Sequence, residues 1–294
     1  MTLSRVLVTG ANGQVGRCLE LALAERDLEC FLTDQADLDI TDASASARRI
    51  AELAPDVLIN AAAYTNVDMA ESERDLAFAA NAAGPGNLAA ACRTAGIPLF
   101  HISTDYVFDG EQSSPYLASD PVRPLGVYGL SKAEGEDRVR DGWDRHIILR
   151  TAWVFSPYGR NFVKTMLKLG AERDELRVVA DQQGSPTGAA DIAAALAELA
   201  RFWAQDQSLP WGTYHFTCRG STSWHGLATE IFKLAEPAWN RRPKVVPIPT
   251  SDFPTPARRP ANSKLDCSTF DQRFDLPRRE WQKSLAETVA ALLT

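Results

Sequence analysis

Arg5-Val6-Leu7-Val8-Thr9-Gly10-Ala11-Asn12-Gly13-Gln14-Val15-Gly16 decides the fold of this 294-residue chain. An apolar run of strand length ends in a glycine loop, and the apolar spacing over 14–26 predicts a helix directly behind it. Glycines allow a tight turn and close backbone approach, and a helix N-terminus offers free N–H groups and its positive end to a phosphate. The spacing is G-x-x-G-x-x-G rather than the commoner G-x-G-x-x-G. With a strand before and a helix after, this is the context a dinucleotide loop requires. Gly10, Ala11, Asn12, Gly13, Gln14, Val15 and Gly16 are therefore expected to hold a dinucleotide.

Outward from the loop, strand-like runs at 5–9, 28–33, 56–60, 98–103 and 146–151 alternate with helical patterns at 14–26, 43–54, 84–95 and 131–141. Such alternation predicts an α/β fold, a Rossmann-like doubly wound parallel sheet. The runs are nearly continuously apolar, as strands covered on both faces should be. After residue 150 the pattern loosens into helices near 161–171, 189–204, 222–235 and 279–293 and short strands near 176–179, 213–216 and 244–248. We expect a dinucleotide-binding domain over 1–150 and a smaller substrate-binding lobe over 151–294, with some of its segments returning to the first domain. Six prolines in 243–260 exclude a helix or central strand there and predict an extended loop or linker.

Composition narrows the function classes. A net charge of -7 leaves no basic field for nucleic acid or an acidic membrane. Five scattered cysteines, odd in number and without a C-x-x-C pair, fit a reducing cytoplasm. No signal-peptide core or membrane span is legible, and no carboxylate or histidine cluster has metal-ligand spacing. The four histidines stand apart and read as structural.

The remaining motifs carry chemistry. Asp34 closes the second strand about twenty residues beyond the glycines, where an acid can bond ribose hydroxyls and repel a 2′-phosphate; a plain turn residue is the competing reading. Small residues in Asn60-Ala61-Ala62-Ala63 would let a cofactor lie against the backbone, or would simply pack a turn. Ser103 and Thr104 end the fourth strand, at the sheet edge where ligands of such folds bind. Tyr128 and Lys132, in Tyr128-Gly129-Leu130-Ser131-Lys132, share a helix face at i, i+4. A cation there would lower a phenol's pKa from about 10 and make it a general acid, with a strand-end hydroxyl steadying the substrate oxygen. Trp153 follows the fifth strand at the same edge, facing ligand or closing a core.

These motifs resemble those of the extended short-chain dehydrogenase/reductases. Ala70-Glu71-Ser72-Glu73, Arg150-Thr151-Ala152-Trp153-Val154-Phe155, Asn161-Phe162-Val163-Lys164-Thr165-Met166, Asp181-Gln182-Gln183-Gly184-Ser185-Pro186-Thr187-Gly188 and the 254–263 block resemble, more narrowly, the dTDP-4-dehydrorhamnose reductase family. The resemblance implies NADPH- or NADH-dependent reduction of the 4-keto group of a dTDP-6-deoxy-L-lyxo-4-hexulose to dTDP-L-rhamnose. It assigns catalysis to Thr104, Tyr128 and Lys132. It adds Asp34, Asp39, Ile40, Ala61, Ala62, Ala63, Tyr64 and Thr65, with Tyr128 and Lys132, to the cofactor site, and gives Thr104, Asp105 and Trp153 to the dTDP-sugar. Arg258 or Arg259 would meet its diphosphate or tie the lobes together; Arg258 is the expected ligand. Some relatives are magnesium-bridged dimers, but Ala190 and Leu292 offer no carboxylate for such a bridge, so no metal is expected and either a monomer or a homodimer is compatible. Another sugar-nucleotide epimerase or reductase, or a regulatory subunit like that of methionine adenosyltransferase, would share these motifs.

Overall fold

Alternate residues of each central strand point to opposite faces, and the sequence makes both faces apolar. Val6, Val8, Val57 and Ile59 enter one core while Leu7 and Leu58 enter another. A sheet apolar on both sides needs helices on both sides. The structure, a computed structural model, describes residues 4–294.

Along the first half the order is β1 (Arg5–Thr9), α1 (Gln14–Ala24), β2 (Glu29–Thr33), α2 (Ala43–Leu53), β3 (Val57–Asn60), α3 (Val67–Ala70), α4 (Arg74–Phe78), a π-helical turn (Ala79–Ala83), α5 (Gly84–Ala95), β4 (Leu99–Thr104), α6 (Val127–Gly142) and β5 (His146–Thr151). The second half follows with β6 (Val154–Phe155), α7 (Phe162–Glu172), β7 (Glu175–Val179), β8 (Gln183–Gly184), β9 (Thr187–Gly188), α8 (Ala189–Asp206), β10 (Gly212–His215), β11 (Thr222–Ser223), α9 (Trp224–Trp239), β12 (Lys244–Ile248), α10 (Ser268–Phe274) and α11 (Trp281–Leu293).

The central sheet has the order β10-β5-β4-β3-β1-β2, parallel at every pairing. The chain moves one way from β1 to β2 and the other way from β3 onward, so a crevice opens beyond the carboxyl ends of β1 and β3, where such sheets bind ligands. Helix α8 packs on the α1 side of the sheet and adds Ile192, Leu196 and Leu199 to that core. A third core joins α7, α9 and α11 through Val163, Leu167, Leu227, Ile231, Phe232 and Leu285.

One sequence expectation changes in detail. The helix expected from 131 begins at Val127, because the Glu71 carboxylate accepts the Val127 N–H at 2.9 Å. An acid at a helix N-terminus is favoured by the dipole and satisfies an orphan donor; arriving from 56 residues away, it leaves no local signal. The short strand expected near 244–248 forms as β12, paired with β7 alone, where Pro247 at the edge is tolerated.

The glycine loop is held by contact. Gly10 has a φ of +72°, and a Cβ there would lie 2.5 Å from the Ala62 nitrogen. A Cβ on Gly16 would lie 2.3 Å from the Gly10 carbonyl oxygen. Gly16→Val should therefore lower stability by about 1–3 kcal/mol, the usual penalty of overpacking. Urea denaturation followed by circular dichroism checks this; an unchanged midpoint would mean that the loop yields without cost.

Candidate active site

Helix α1 starts at Gly13 without a side-chain cap, so the N–H groups of its first turn are left for another acceptor. Asn12 donates through Nδ2 to the Asp34 carboxylate, whose other oxygen accepts the Ala36 N–H at 2.9 Å. Asp39, on the connection from β2 to α2, is bonded by the Thr41 backbone and hydroxyl at 2.9 and 2.8 Å, and Ile40 beside it is buried. Across the crevice Ala61 donates to the Thr9 carbonyl at 3.1 Å. Ala62, Ala63, Tyr64 and Thr65 continue that wall, and Asn81 pins it by accepting the Tyr64 N–H at 2.8 Å and donating to the Tyr64 carbonyl at 2.9 Å. The Asn81 amide also donates to the Ser131 hydroxyl at 3.0 Å, tying the wall to α6. The cradle has room for backbone but none for a Cβ at Gly10 or Gly16, and no side chain caps the first turn of α1; it fits the pyrophosphate of a dinucleotide.

Tyr128 and Lys132 lie one turn apart on α6, beneath the carboxyl end of β4. Burial pushes the Tyr128 phenol up to about 12, the nearby Thr104 hydroxyl opposes this, and the charge of Asp105 adds to it. Lys132 makes no hydrogen bond to the phenol: its Nζ donates to the Ile102 carbonyl at 2.7 Å and sits 3.4 Å from His101 Nε2. Burial draws Lys132 down to about 8, against the pull of Glu136. Thr104 donates to Asp105 Oδ1 at 2.9 Å. Asp105 Oδ2 is buried without a hydrogen-bond partner, and burial lifts that carboxyl to about 6.

Ser103 does not join the hydroxyl of Thr104 beside the phenol. It donates at 2.6 Å to Glu136, a fully buried carboxylate that also takes two bonds from Arg150, at 2.8 and 2.6 Å, and one from Arg140 at 3.2 Å. Burial pushes Glu136 upward, but these bonds outweigh it and hold its carboxyl below the ordinary 4.5. The sequence reading passed over Glu136, although it continues the i, i+4 series from Tyr128 and Lys132. It missed Asn81 because a π-helical turn has no sequence signal; such turns frequently mark functional sites.

Trp153 has a φ of +48°, unusual for a bulky residue. Its indole stacks on Trp224 with centroids 3.5 Å apart and planes 5° from parallel. Gly184 lies against the same ring, where a Cβ would come within 2.2 Å of Cε2. The indole N–H donates to Ser263 at 3.1 Å. Protein groups thus take up the stacking surface and the donor that the sequence reading offered to a ligand. Arg259 pairs with Asp68 at 2.8 Å, joining distant parts of the chain, while Arg258 is exposed and makes no ion pair among the described residues. Among those residues no group of three His, Cys, Asp or Glu side chains could hold a metal, and no helix is long and apolar enough to cross a membrane.

A phenol that keeps its proton, set at the strand edge next to a dinucleotide cradle, belongs to the chemistry of nicotinamide-dependent reduction, and on a doubly wound parallel sheet this defines an extended short-chain dehydrogenase/reductase. The chain belongs to the family described as RmlD substrate binding domain, whose model matches residues 4–294. It is 43% identical over 290 residues to a dTDP-4-dehydrorhamnose reductase of Sinorhizobium fredii, covering 98% of each chain. The crystal structure of a dTDP-4-dehydrorhamnose reductase from Clostridium acetobutylicum superposes with a TM-score of 0.90 at 42% identity, covering 99% of this chain and 100% of the other. That of the Bacillus anthracis enzyme, in complex with NADP, superposes with a TM-score of 0.92 at 38% identity and the same coverage.

Glu136→Gln should cost about 3–5 kcal/mol by leaving Arg150 buried without its counter-charge. Because the folded state holds the Glu136 carboxyl below 4.5, the stabilisation is present above that pH and drains away as pH falls through the folded value. Melting curves from pH 7 down to 3 should show the wild type losing this increment while the variant, already without it, changes less.

Proposed function

We propose that this chain is an NAD(P)H-dependent dTDP-4-dehydrorhamnose reductase, converting the 4-keto group of dTDP-6-deoxy-L-lyxo-4-hexulose to the alcohol of dTDP-L-rhamnose. The observation that carries this reading is the convergence of Thr104, Tyr128 and Lys132 beside an uncapped helix start at the sheet's switch point. When bound, the nicotinamide supplies the hydride; the protein's part is placement and protonation.

Reduction of a ketone needs a proton for the developing alkoxide. A phenol raised to about 12 is fully protonated at neutral pH and delivers its proton only where that alkoxide forms. Tyr128 is thus the acid, Thr104 orients the carbonyl oxygen, and Lys132 holds the cofactor's ribose. Gly10, Ala11, Asn12, Gly13, Gln14, Val15 and Gly16 take the pyrophosphate, Asp34 the adenosine ribose, and Asp39, Ile40 and Ala61 to Thr65 line the rest of the cofactor groove. Asp105 Oδ2, buried and unpartnered, accepts a hydroxyl of the substrate. Trp153, with its faces stacked, contributes its edge to the nucleotide-sugar pocket, and the unpaired Arg258 meets the diphosphate by forked bonds. Residues 1–150 carry the cofactor and 151–294 mainly the sugar nucleotide, in a cytoplasmic enzyme, monomeric or homodimeric.

Tyr128→Phe should keep cofactor affinity and lose at least about a hundredfold in turnover, read from NAD(P)H absorbance with ketosugar present; near-normal turnover would remove Tyr128 as the acid. In the wild type, net consumption of NAD(P)H separates a reductase from an epimerase, which recycles it, and from a regulatory subunit, which does neither.

Both NADPH and NADH should serve. Asp34→Ala should shift the ratio of kcat/KM values toward NADPH by removing a carboxylate that repels a 2′-phosphate; an unchanged ratio would place Asp34 outside the ribose site.

A further inference from the structure

A chain of buried polar groups runs from the glycine loop to Lys132, and the reductive mechanism above leaves it without a role. The Asn60 Oδ1 accepts the Thr9 hydroxyl at 2.7 Å and the Ala62 N–H at 3.1 Å. Asn60 Nδ2 lies 3.0 Å from His101 Nδ1, and His101 Nε2 lies 3.4 Å from Lys132 Nζ. Asn60 and His101 have no exposed surface and Lys132 only 2%.

The donors and acceptors of this chain can be counted. A backbone N–H only donates, so the Ala62 N–H requires the oxygen of Asn60 and fixes the orientation of that amide. The Asn60 NH2 therefore points at His101 Nδ1, which has to accept. A neutral imidazole carries one proton, and that of His101 is then on Nε2, directed at Lys132. Burial keeps this imidazole neutral, and the charges of Lys132 and His146 reinforce the effect. An N–H aimed at an amine suits the neutral amine, which has a lone pair to accept it, and opposes the ammonium, which has none.

We propose that His101 is a positioning residue that sets the charge of Lys132: locked by Asn60 in its Nε2–H form, it donates toward Nζ and weakens that lysine's hold on its proton. Two other groups around the pair oppose this, the Ile102 carbonyl that accepts from Nζ and the Glu136 carboxylate. On α6, Tyr128 precedes Lys132 by one turn and Glu136 follows by one; on β4, Lys132 meets His101 and the Ile102 carbonyl; from β5, His146 acts on His101. Glu136 alone among the titratable groups favours the charged lysine, and its oxygens are already engaged by Ser103, Arg150 and Arg140. Burial draws Lys132 down to about 8, and the imidazole N–H acts in the same direction.

The test reads protons directly. Nitrogen-15 spectra of histidine-labelled protein, with His101 assigned by its absence in His101→Gln, should show a neutral Nε2–H imidazole between pH 6 and 8. A proton on Nδ1, or an imidazolium in that range, overturns the proposal. The Lys132 13Cε resonance, assigned through Lys132→Met, follows the lysine's own titration. Asn60→Asp replaces the amide donor by an acceptor, moves the His101 proton to Nδ1 and turns the Nε2 lone pair toward Lys132. The lysine midpoint should then rise by about one pH unit or more. His101→Gln, able to turn its amide oxygen to Nζ without adding charge, should give the same direction, and serves alone if Asn60→Asp does not fold. Midpoints unmoved in the folded variants overturn the proposal. The kinetic consequence rests on the reductase reading: the alkaline limb of kcat/KM should follow the lysine midpoint. Absence of ketosugar reduction with the expected tautomer and midpoints would sink that reading and leave this one standing.

Discussion

A carboxylate sealed from water on α6 has to be compensated where it stands, and around Glu136 that requirement organises the site. Its partners come from three elements: Ser103 from β4, Arg150 from β5 and Arg140 from α6 itself. Leaving either buried charge unpaired would cost several kcal/mol, so α6 has one acceptable rotation about its axis. Residues at i, i+4 and i+8 share a helix face. The rotation that buries Glu136 therefore also presents Lys132 and Tyr128 to the end of β4. Electrostatics in the interior thus fixes the aim of two side chains that need never touch the ion pair.

The fold was legible because it depends on local pattern. Apolar strand runs, the glycine loop and the helix spacing each carry their meaning within a short window, and the parallel sheet from β1 to β5 follows from their alternation; β10, which joins its edge from the second half, does not. At the site, the sequence indicated which residue types gather at the strand ends but not how they are satisfied. The i, i+4 pair suggested a lysine acting on a phenol; in the structure the Ile102 carbonyl claims the lysine and burial raises the phenol. Ser103 and Thr104 are indistinguishable as a dipeptide, yet consecutive residues of a strand face opposite ways, and only one of them can point at the crevice. Glu71, Asn81 and Ser263 act across dozens of residues, a separation that no local pattern records.

The sheet's last strand bears on how the protein is made. Strand β10 covers the open edge of β5, but it is reached only after the chain has built β6, α7, β7 and the long α8. During synthesis from the N-terminus, every strand up to β5 can be in place while the row of N–H and C=O groups along its outer side is still bare, and such a row is a template for pairing with other chains. The interval closes only when Gly212–His215 emerges and docks. The nascent protein is thus most vulnerable to misassociation after its nucleotide-binding motifs are complete, and a chaperone that shields one strand edge over that stretch would protect it better than one that shields the finished lobe.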